Sequence, residues 1–125
     1  MSETKVIGID LGATNIRAGL VHEGSIHTIQ SKRIKSEGSV DEVLADFYLL
    51  IDTLLDKEVV AIGIGVPSVV DLAKGIVYDV QHILSWKEVP LKEILEKKYK
   101  LPVYVNNDAN CFALGEFHFG KGRGK

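Results

Sequence analysis

Small and polar side chains follow the first apolar run of the chain, in the stretch IGIDLGATNIR. The small residues Gly12 and Ala13 would let backbone N–H groups approach an anion closely. Thr14 and Asn15 can donate hydrogen bonds to phosphate oxygens, and Asp10 can hold Mg²⁺ directly or through its water shell. The stretch lacks the G-x-x-x-x-G-K-[ST] pattern and is followed by a predicted strand, so it is not a P-loop. A plain hairpin turn is the structural alternative.

A second polar cluster occurs in the stretch VYVNNDAN, where a predicted buried strand gives way to a predicted helix. Open α/β sheets bind ligands at the carboxyl ends of their strands. A helix N-terminus favours the ionised form of Asp108, which could then accept a proton from a substrate hydroxyl. Asn107 could orient that hydroxyl. The alternative is that one of these two side chains merely caps the helix.

The stretch GIGVPS nearly matches the dinucleotide-binding pattern G-x-G-x-x-G. Pro67 falls inside the required turn and no helix is expected after it, so we reject a dinucleotide site here. Gly63 and Gly65 instead indicate a place where a ligand approaches the backbone. Histidines are scattered along the chain and do not predict a metal cluster.

Hydrophobic periodicity predicts the elements that must position these clusters. Three strands at 6–10, 16–21 and 26–34 form an antiparallel meander. A capping box of Ser39 and Glu42 opens a helix of about 17 residues that ends near Lys57. The predicted elements that follow are a strand at 59–66, a loop-like stretch at 68–90 with a short strand possible at 75–78, a helix at 91–99, a strand at 102–105 and a helix to about 119. We expect Trp86 to pack its loop over the core.

Composition limits the class of protein and its partners. The chain has 125 residues, 46% of them apolar, a net charge of −2 and one cysteine. We therefore expect neither a nucleic-acid partner nor a disulfide framework. The longest uncharged stretch, 59–70, is far shorter than the ~20 residues of a membrane span, and no signal segment is evident, so we expect a cytoplasmic protein.

Taken together, these stretches resemble the N-terminal half of the ROK family (repressors, open reading frames and kinases). IGIDLGATNIRAGLV is similar to its first phosphate motif, IGIGVPSVVD to its G-x-P-G-x-x-D strand and loop, SWKEVPL to the end of its Asn-Leu-Pro-Gly-Trp segment, and VYVNNDANCFALGE to its catalytic segment. The resemblance implies an α/β, ribonuclease H-like (actin-like ATPase) domain. Its mixed five-stranded sheet would contain three antiparallel and two parallel strands, with helices on both faces.

The resemblance also implies roles for residues on the sugar side of the site. Asp108 would be the general base for a sugar hydroxyl and would contact the sugar. Asn107 would hydrogen-bond the sugar. Gly65, with its neighbours Pro67 and Ser68, would line the sugar pocket.

On the nucleotide side, the resemblance implies that the first turn faces ATP and Mg²⁺. Asp10, Gly12 and Thr14 would face the phosphates, together with the adjacent Ala13 and Asn15. Asp10 would hold Mg²⁺ through water. The expected activity is ATP-dependent phosphorylation of a hexose or N-acetylhexosamine, as in glucokinases.

The sequence departs from the family pattern in two loops and in extent. Ser68 stands where glycine is usual, and QHILS at 81–85 replaces the Asn-Leu-Pro-Gly run. We expect a domain over 1–119 and a glycine- and lysine-rich loop at 120–125 that leads to a second domain not in this chain. That domain would supply the second phosphate motif, the adenosine site and a structural zinc site. The family's repressors carry a helix-turn-helix before the first motif, which is not expected here.

The sequence is also compatible with other functions. A non-catalytic sugar-sensing or transcription-regulating module could use the same scaffold, as could an activator-type ATPase. The Asn107-Asp108 pair and the Trp86 segment favour the sugar kinase. We expect the partners to be a sugar, ATP and further copies of the protein in a homo-oligomer, with no membrane partner. The 125-residue chain alone would be inactive because half of the cleft is missing.

Overall fold

The computed structural model describes residues 5–12, 15–22, 25–34, 37–66, 68–80, 83 and 85–106. Eight strands and two helices lie within these residues. In chain order they are β1 (Lys5–Leu11), β2 (Asn15–His22), β3 (Ser25–Arg33), α1 (Val40–Leu54), β4 (Val59–Gly65), β5 (Val69–Asp71), β6 (Ile76–Tyr78), β7 (Glu88–Val89), α2 (Leu91–Tyr99) and β8 (Val103–Asn106). Within the described chain, α1 and α2 are both too short to cross a membrane.

The main sheet has five strands in the order β3-β2-β1-β4-β8. β1, β2 and β3 form an antiparallel meander, while β4 and β8 add to β1 in parallel. This arrangement confirms the predicted mixed sheet of three antiparallel and two parallel strands. Parallel neighbours need a crossover, and α1 supplies it between β3 and β4, while α2 precedes β8.

Both described helices pack on the same face of this sheet. Alternate residues of the strands point to that face, as the pleat requires. Together with α1 and α2 they form one buried cluster, to which the sheet contributes Ile7, Ile9, Leu11, Ile16, Ala18, Ile62, Ile64, Val103 and Val105. The predicted helix that would cover the other face, up to about residue 119, lies outside the described residues.

Helix α1 begins as predicted and ends earlier than predicted. The Ser39 Oγ accepts a hydrogen bond from the Glu42 amide at 3.2 Å, and the Glu42 carboxylate accepts one from the Ser39 amide at 2.9 Å. The predicted end near Lys57 is wrong, because the helix ends at Leu54. Asp56 Oδ1 accepts a hydrogen bond from the Glu58 amide at 2.8 Å. The Glu58 amide therefore bonds a side chain two residues back and not a helical carbonyl.

The stretch between β4 and α2 contains a second sheet that the sequence did not predict. It has three strands in the order β5-β6-β7, all antiparallel. Only β6 coincides with the short strand considered possible at 75–78. The prediction of a loop was wrong because three-residue and two-residue strands are too short to show alternation.

Trp86 anchors the loop between β6 and β7 to α1. Its side chain is fully buried and stacks on Phe47, with ring centroids 5.5 Å apart and planes 15° apart. The predicted packing role of Trp86 is therefore confirmed. Truncating either ring would remove about 3–5 kcal/mol of stability, the usual cost of losing a buried aromatic side chain.

Two buried glycines, Gly75 and Gly63, provide a direct test of the contact between the β5–β6 turn and α2. Gly75 has φ +66°, and an added Cβ would overlap the Cβ of Lys92, whereas a Cβ at Gly63 would have no atom of the described residues within 4 Å. We expect Gly75→Ala to lower the free energy of unfolding by about 2–4 kcal/mol through backbone strain and overlap. Gly63→Ala should change it by less than about 1 kcal/mol.

Urea unfolding of the two variants beside the parent protein measures this difference. Equal free energies of unfolding for the two variants would contradict the described contact between the β5–β6 turn and α2.

Candidate functional site

The carboxyl ends of β1, β4 and β8 lie at one edge of the main sheet. Asp10 pairs with Gly65 of β4, and Gly65 pairs with Asn106 of β8. Across the antiparallel side, Asp10 pairs with Arg17 of β2. Paired residues on adjacent strands point to the same face, so these four form one row across four strands, here called the edge row. The edge row faces away from α1 and α2.

A row of glycines lies directly behind the edge row on the same face. Gly19, Gly8 and Gly63 pair in succession across β2, β1 and β4, and Tyr104 continues the row on β8. Next to the edge row, three adjacent strands therefore carry no side chain of their own on this face. Gly63 was predicted as a place of ligand approach, whereas Gly8 and Gly19 were not. Their spacing from the edge row repeats that of Gly63, but only the register reveals the row.

The turn between β1 and β2 is tight at Gly12. The Gly12 N–H donates to the Asn15 carbonyl at 2.9 Å, which closes the turn. A Cβ at Gly12 would lie 3.2 Å from that same oxygen, so a side chain would force the turn to shift. The Gly12 N–H is thus used within the protein, and the contribution of Gly12 is its missing side chain. Ala13 and Thr14 lie outside the described residues.

Asp10 is the acidic member of the edge row. Its side chain is half-buried, and it takes part in interactions within the protein, as does Arg17. Among the described residues, no group of three or more His, Cys, Asp and Glu side chains could hold a metal. A single carboxylate at a strand end fits Mg²⁺, which keeps several waters and takes one or two carboxylates. The sequence did not predict that Arg17 is the neighbour of Asp10.

Ser68 begins the segment that follows the edge row on β4. Its hydroxyl is buried and has no hydrogen-bond partner among the residues described. Leaving a buried hydroxyl unpaired costs about 1–3 kcal/mol, so this oxygen favours an additional partner. Pro67, predicted to line the same pocket, lies outside the described residues.

The segment predicted to hold the base starts from the edge row. The Val66 amide donates to the Asn106 carbonyl at 2.9 Å, which fixes the end of β8 against β4. Asn107 and Asp108 follow directly in sequence and lie outside the described residues. Of the predicted site residues, the structure therefore brings together Asp10 and Gly65. Gly12 and Asn15, the first residue of β2, are hydrogen-bonded to each other next to Asp10 in the chain.

Comparison with known proteins identifies similar chains. The family model described as "ROK family" matches residues 6–125. The glucokinase of Thermotoga maritima is 34% identical over 99% of this chain, and the xylose repressor of Caldicellulosiruptor bescii is 34% identical over 93%. The crystal structure of a ROK family glucokinase from Streptomyces griseus, in complex with glucose and AMPPNP, superposes with a TM-score of 0.74 at 34% identity over 96% of this chain.

These relatives are longer than this chain. The chain spans 40% of the T. maritima glucokinase, 31% of the C. bescii repressor and 38% of the S. griseus structure. This coverage is consistent with an N-terminal domain of a glucokinase-like protein. The fold is that of the actin-like ATPases, as the resemblance implied.

Proposed function

This chain belongs to the ROK family, and we propose that the protein containing it phosphorylates a sugar with ATP. The substrate class is a hexose or an N-acetylhexosamine. The observation that carries the proposal is the edge row. The register of β1, β4 and β8 brings the ends of these three strands to one edge of the sheet. The phosphate turn follows β1, Gly65 ends β4, and the Asn107-Asp108 segment follows β8 in sequence.

Asp108 is the general base of the proposed reaction. The sugar hydroxyl oxygen attacks the γ-phosphorus of ATP, the bond from that phosphorus to the bridging oxygen breaks, and ADP leaves. Asp108 accepts the proton of the hydroxyl, and Asn107 holds the sugar by a hydrogen bond. Such phosphoryl transfers depend mainly on positioning and on stabilisation of charge, so the alignment of the strand ends matters most.

The turn from Asp10 to Asn15 is the proposed phosphate site. The missing side chain at Gly12 lets the triphosphate approach the backbone, and the small residues Ala13 and Thr14 extend that surface. Asp10 would hold Mg²⁺ through water, and a bound metal would supply positive charge next to the phosphates.

Gly65, Pro67 and Ser68 form the proposed wall of the sugar pocket. Gly65 lies in the edge row between Asp10 and Asn106, so a sugar there would be between the phosphate turn and the base. The buried, unpaired hydroxyl of Ser68 would find a partner in a sugar hydroxyl after a small movement of its loop.

The remaining parts of the proposed enzyme lie beyond this chain. We propose that a second domain follows the loop at 120–125, closes the cleft, and carries the adenosine site and any structural zinc. We further propose a homo-oligomer in the cytoplasm. Native mass spectrometry of the full-length protein measures both the mass of the second domain and the number of subunits.

A sugar-responsive transcriptional regulator is the second candidate function. The similarity to the C. bescii xylose repressor, at 34% identity, favours it. Such a protein would bind sugar at the same edge of the sheet without turning over ATP. The net charge of −2 in this chain gives no support for DNA contact by this domain.

Replacing the proposed base tests the reaction. In the full-length protein, Asp108→Asn should lower the sugar-dependent production of ADP by at least about a hundredfold, since general base catalysis contributes about 10²–10⁴-fold. Asp52→Asn is the matched control, because its amide oxygen can still accept the hydrogen bond that Tyr99 donates at 2.9 Å. A coupled assay over a panel of hexoses and N-acetylhexosamines measures both variants.

The outcomes of this assay separate the two candidate functions. Turnover with one sugar that is lost in Asp108→Asn and kept in Asp52→Asn supports the kinase. Sugar binding by calorimetry without turnover in the parent protein would instead favour the regulator.

A second substitution tests the phosphate turn. Gly12→Ala should weaken the affinity for Mg²⁺-AMPPNP by about tenfold, or about 1.4 kcal/mol. The added Cβ would lie 3.2 Å from the Asn15 carbonyl oxygen, so the turn would have to shift to make room for it. The sugar affinity of the same variant should stay unchanged, which makes it an internal control. Titration calorimetry gives both affinities, and an unaltered nucleotide affinity would argue against a phosphate site in this turn.

A further inference from the structure

β8 is the edge strand that ends in the edge row, and it has little support of its own. It has four residues, and among the described strands it pairs only with β4. An edge strand leaves every second residue with its N–H and C=O pointing away from the sheet. In β8 the backbone of Val103 points outward in this way, because the Ile62 amide bonds the carbonyl of the preceding Pro102 at 3.0 Å.

Two side chains of α2 occupy the outward-facing backbone groups of Val103. The Lys92 ammonium donates to the Val103 carbonyl at 2.8 Å, and the Glu96 carboxylate accepts from the Val103 amide at 2.9 Å. The two side chains also bond each other at 2.8 Å. Lys92, Glu96 and the Val103 backbone are here called the edge clamp.

Further contacts fix the Lys92 end of the edge clamp. The Lys92 amide donates to the Gly75 carbonyl at 3.2 Å, and its stem packs where Gly75 has no side chain. The Lys92 ammonium also lies 5.5 Å from the ring centre of Tyr104, a cation–π contact. The edge clamp therefore joins the β5–β6 turn, α2 and β8.

Glu96 stays ionised in this arrangement. The ammonium of Lys92, and after it the Val103 amide, lower the pKa of the Glu96 carboxyl. One residue further along α2, the pair of Glu93 and Lys97 is 4.0 Å apart and largely exposed, with side chains 68% and 79% accessible. Its sequence spacing matches that of Lys92 and Glu96, so α2 contains an internal comparison for the edge clamp.

We propose that Lys92 and Glu96 are positioning residues of the active site. By holding Val103 they set the place of Asn106 in the edge row and the start of the segment that carries Asp108. The inference rests on the proposed function, because it assigns Lys92 and Glu96 an effect on the base of that reaction. The structural alternative is that the edge clamp only prevents another chain from pairing with β8.

Five substitutions in the full-length protein test the proposal. Lys92→Met removes the ammonium from the edge clamp, and Glu96→Gln removes the carboxylate charge, so that the ion pair is lost and only a weaker, neutral hydrogen bond to the Val103 amide remains. Lys97→Met and Glu93→Gln make the same changes in the exposed pair of the same helix. Lys92→Arg restores a donor and should recover part of the activity.

The expected result is a selective loss of kcat. Lys92→Met and Glu96→Gln should lower kcat at least about tenfold, because a misplacement of about 1 Å can cost 10²-fold. The KM for ATP should change by less than about twofold, since β1 and β2 hold the phosphate turn. Lys97→Met and Glu93→Gln should match the parent in both constants. Because a smaller folded fraction would lower the apparent kcat in the same way, kcat is calculated per active protein, with the active fraction of each variant taken from the stoichiometry of sugar binding in titration calorimetry.

Hydrogen exchange at the Val103 amide provides the structural readout. Lys92→Met and Glu96→Gln should speed this exchange at least about tenfold, while exchange at Ile62 in the neighbouring central strand stays unchanged. Faster exchange with normal kcat would overturn the proposal and leave edge protection as the role. Unchanged exchange would overturn the edge clamp itself.

Sugar affinity separates failure of this proposal from failure of the proposed function. A parent protein that binds sugar without phosphorylating it would show that the kinase function is wrong. The proposal then stands if Lys92→Met and Glu96→Gln weaken sugar binding about tenfold while Lys97→Met and Glu93→Gln do not. It is overturned if all four variants bind sugar like the parent.

Discussion

The parallel pairing of β1, β4 and β8 is the constraint on which the rest of the structure depends. Because the three strands run in the same direction, their carboxyl ends meet at one edge, and the register puts Asp10, Gly65 and Asn106 in a single row. A shift of one residue in either pairing would turn one of these residues to the face of the sheet that α1 and α2 cover. The buried residues Ile62 and Ile64 oppose such a shift, since they would leave the core.

The sequence predicted the parts of the fold in which several local signals agree. The capping box of Ser39 and Glu42 identified the start of α1, and apolar runs together with alternating apolar residues identified the five strands of the main sheet. The Asp56 side chain accepts a hydrogen bond from the Glu58 amide, and α1 ends at Leu54, a local competition with the helix that periodicity does not reveal. β5 and β7 were missed because strands of three and two residues depend on their partners and carry no periodic pattern.

The candidate site was predicted by residue type, and its geometry was not. Asp10, Gly12 and Gly65 were recognised as candidates because their types and spacing suit phosphate and ligand contact. The glycine row through Gly8 and the contacts of Lys92 with Val103 depend on strand register and on helix packing, which join residues distant in sequence. These features required the three-dimensional structure.

A crystal structure of the full-length protein with a bound sugar and Mg²⁺-AMPPNP would show directly whether sugar and nucleotide meet at this edge of the sheet. We expect the triphosphate against the turn at Gly12 and Mg²⁺ within one water of Asp10. We also expect a sugar hydroxyl within hydrogen-bond distance of Asp108. A sugar and a nucleotide bound away from this edge of the sheet would contradict the proposed function.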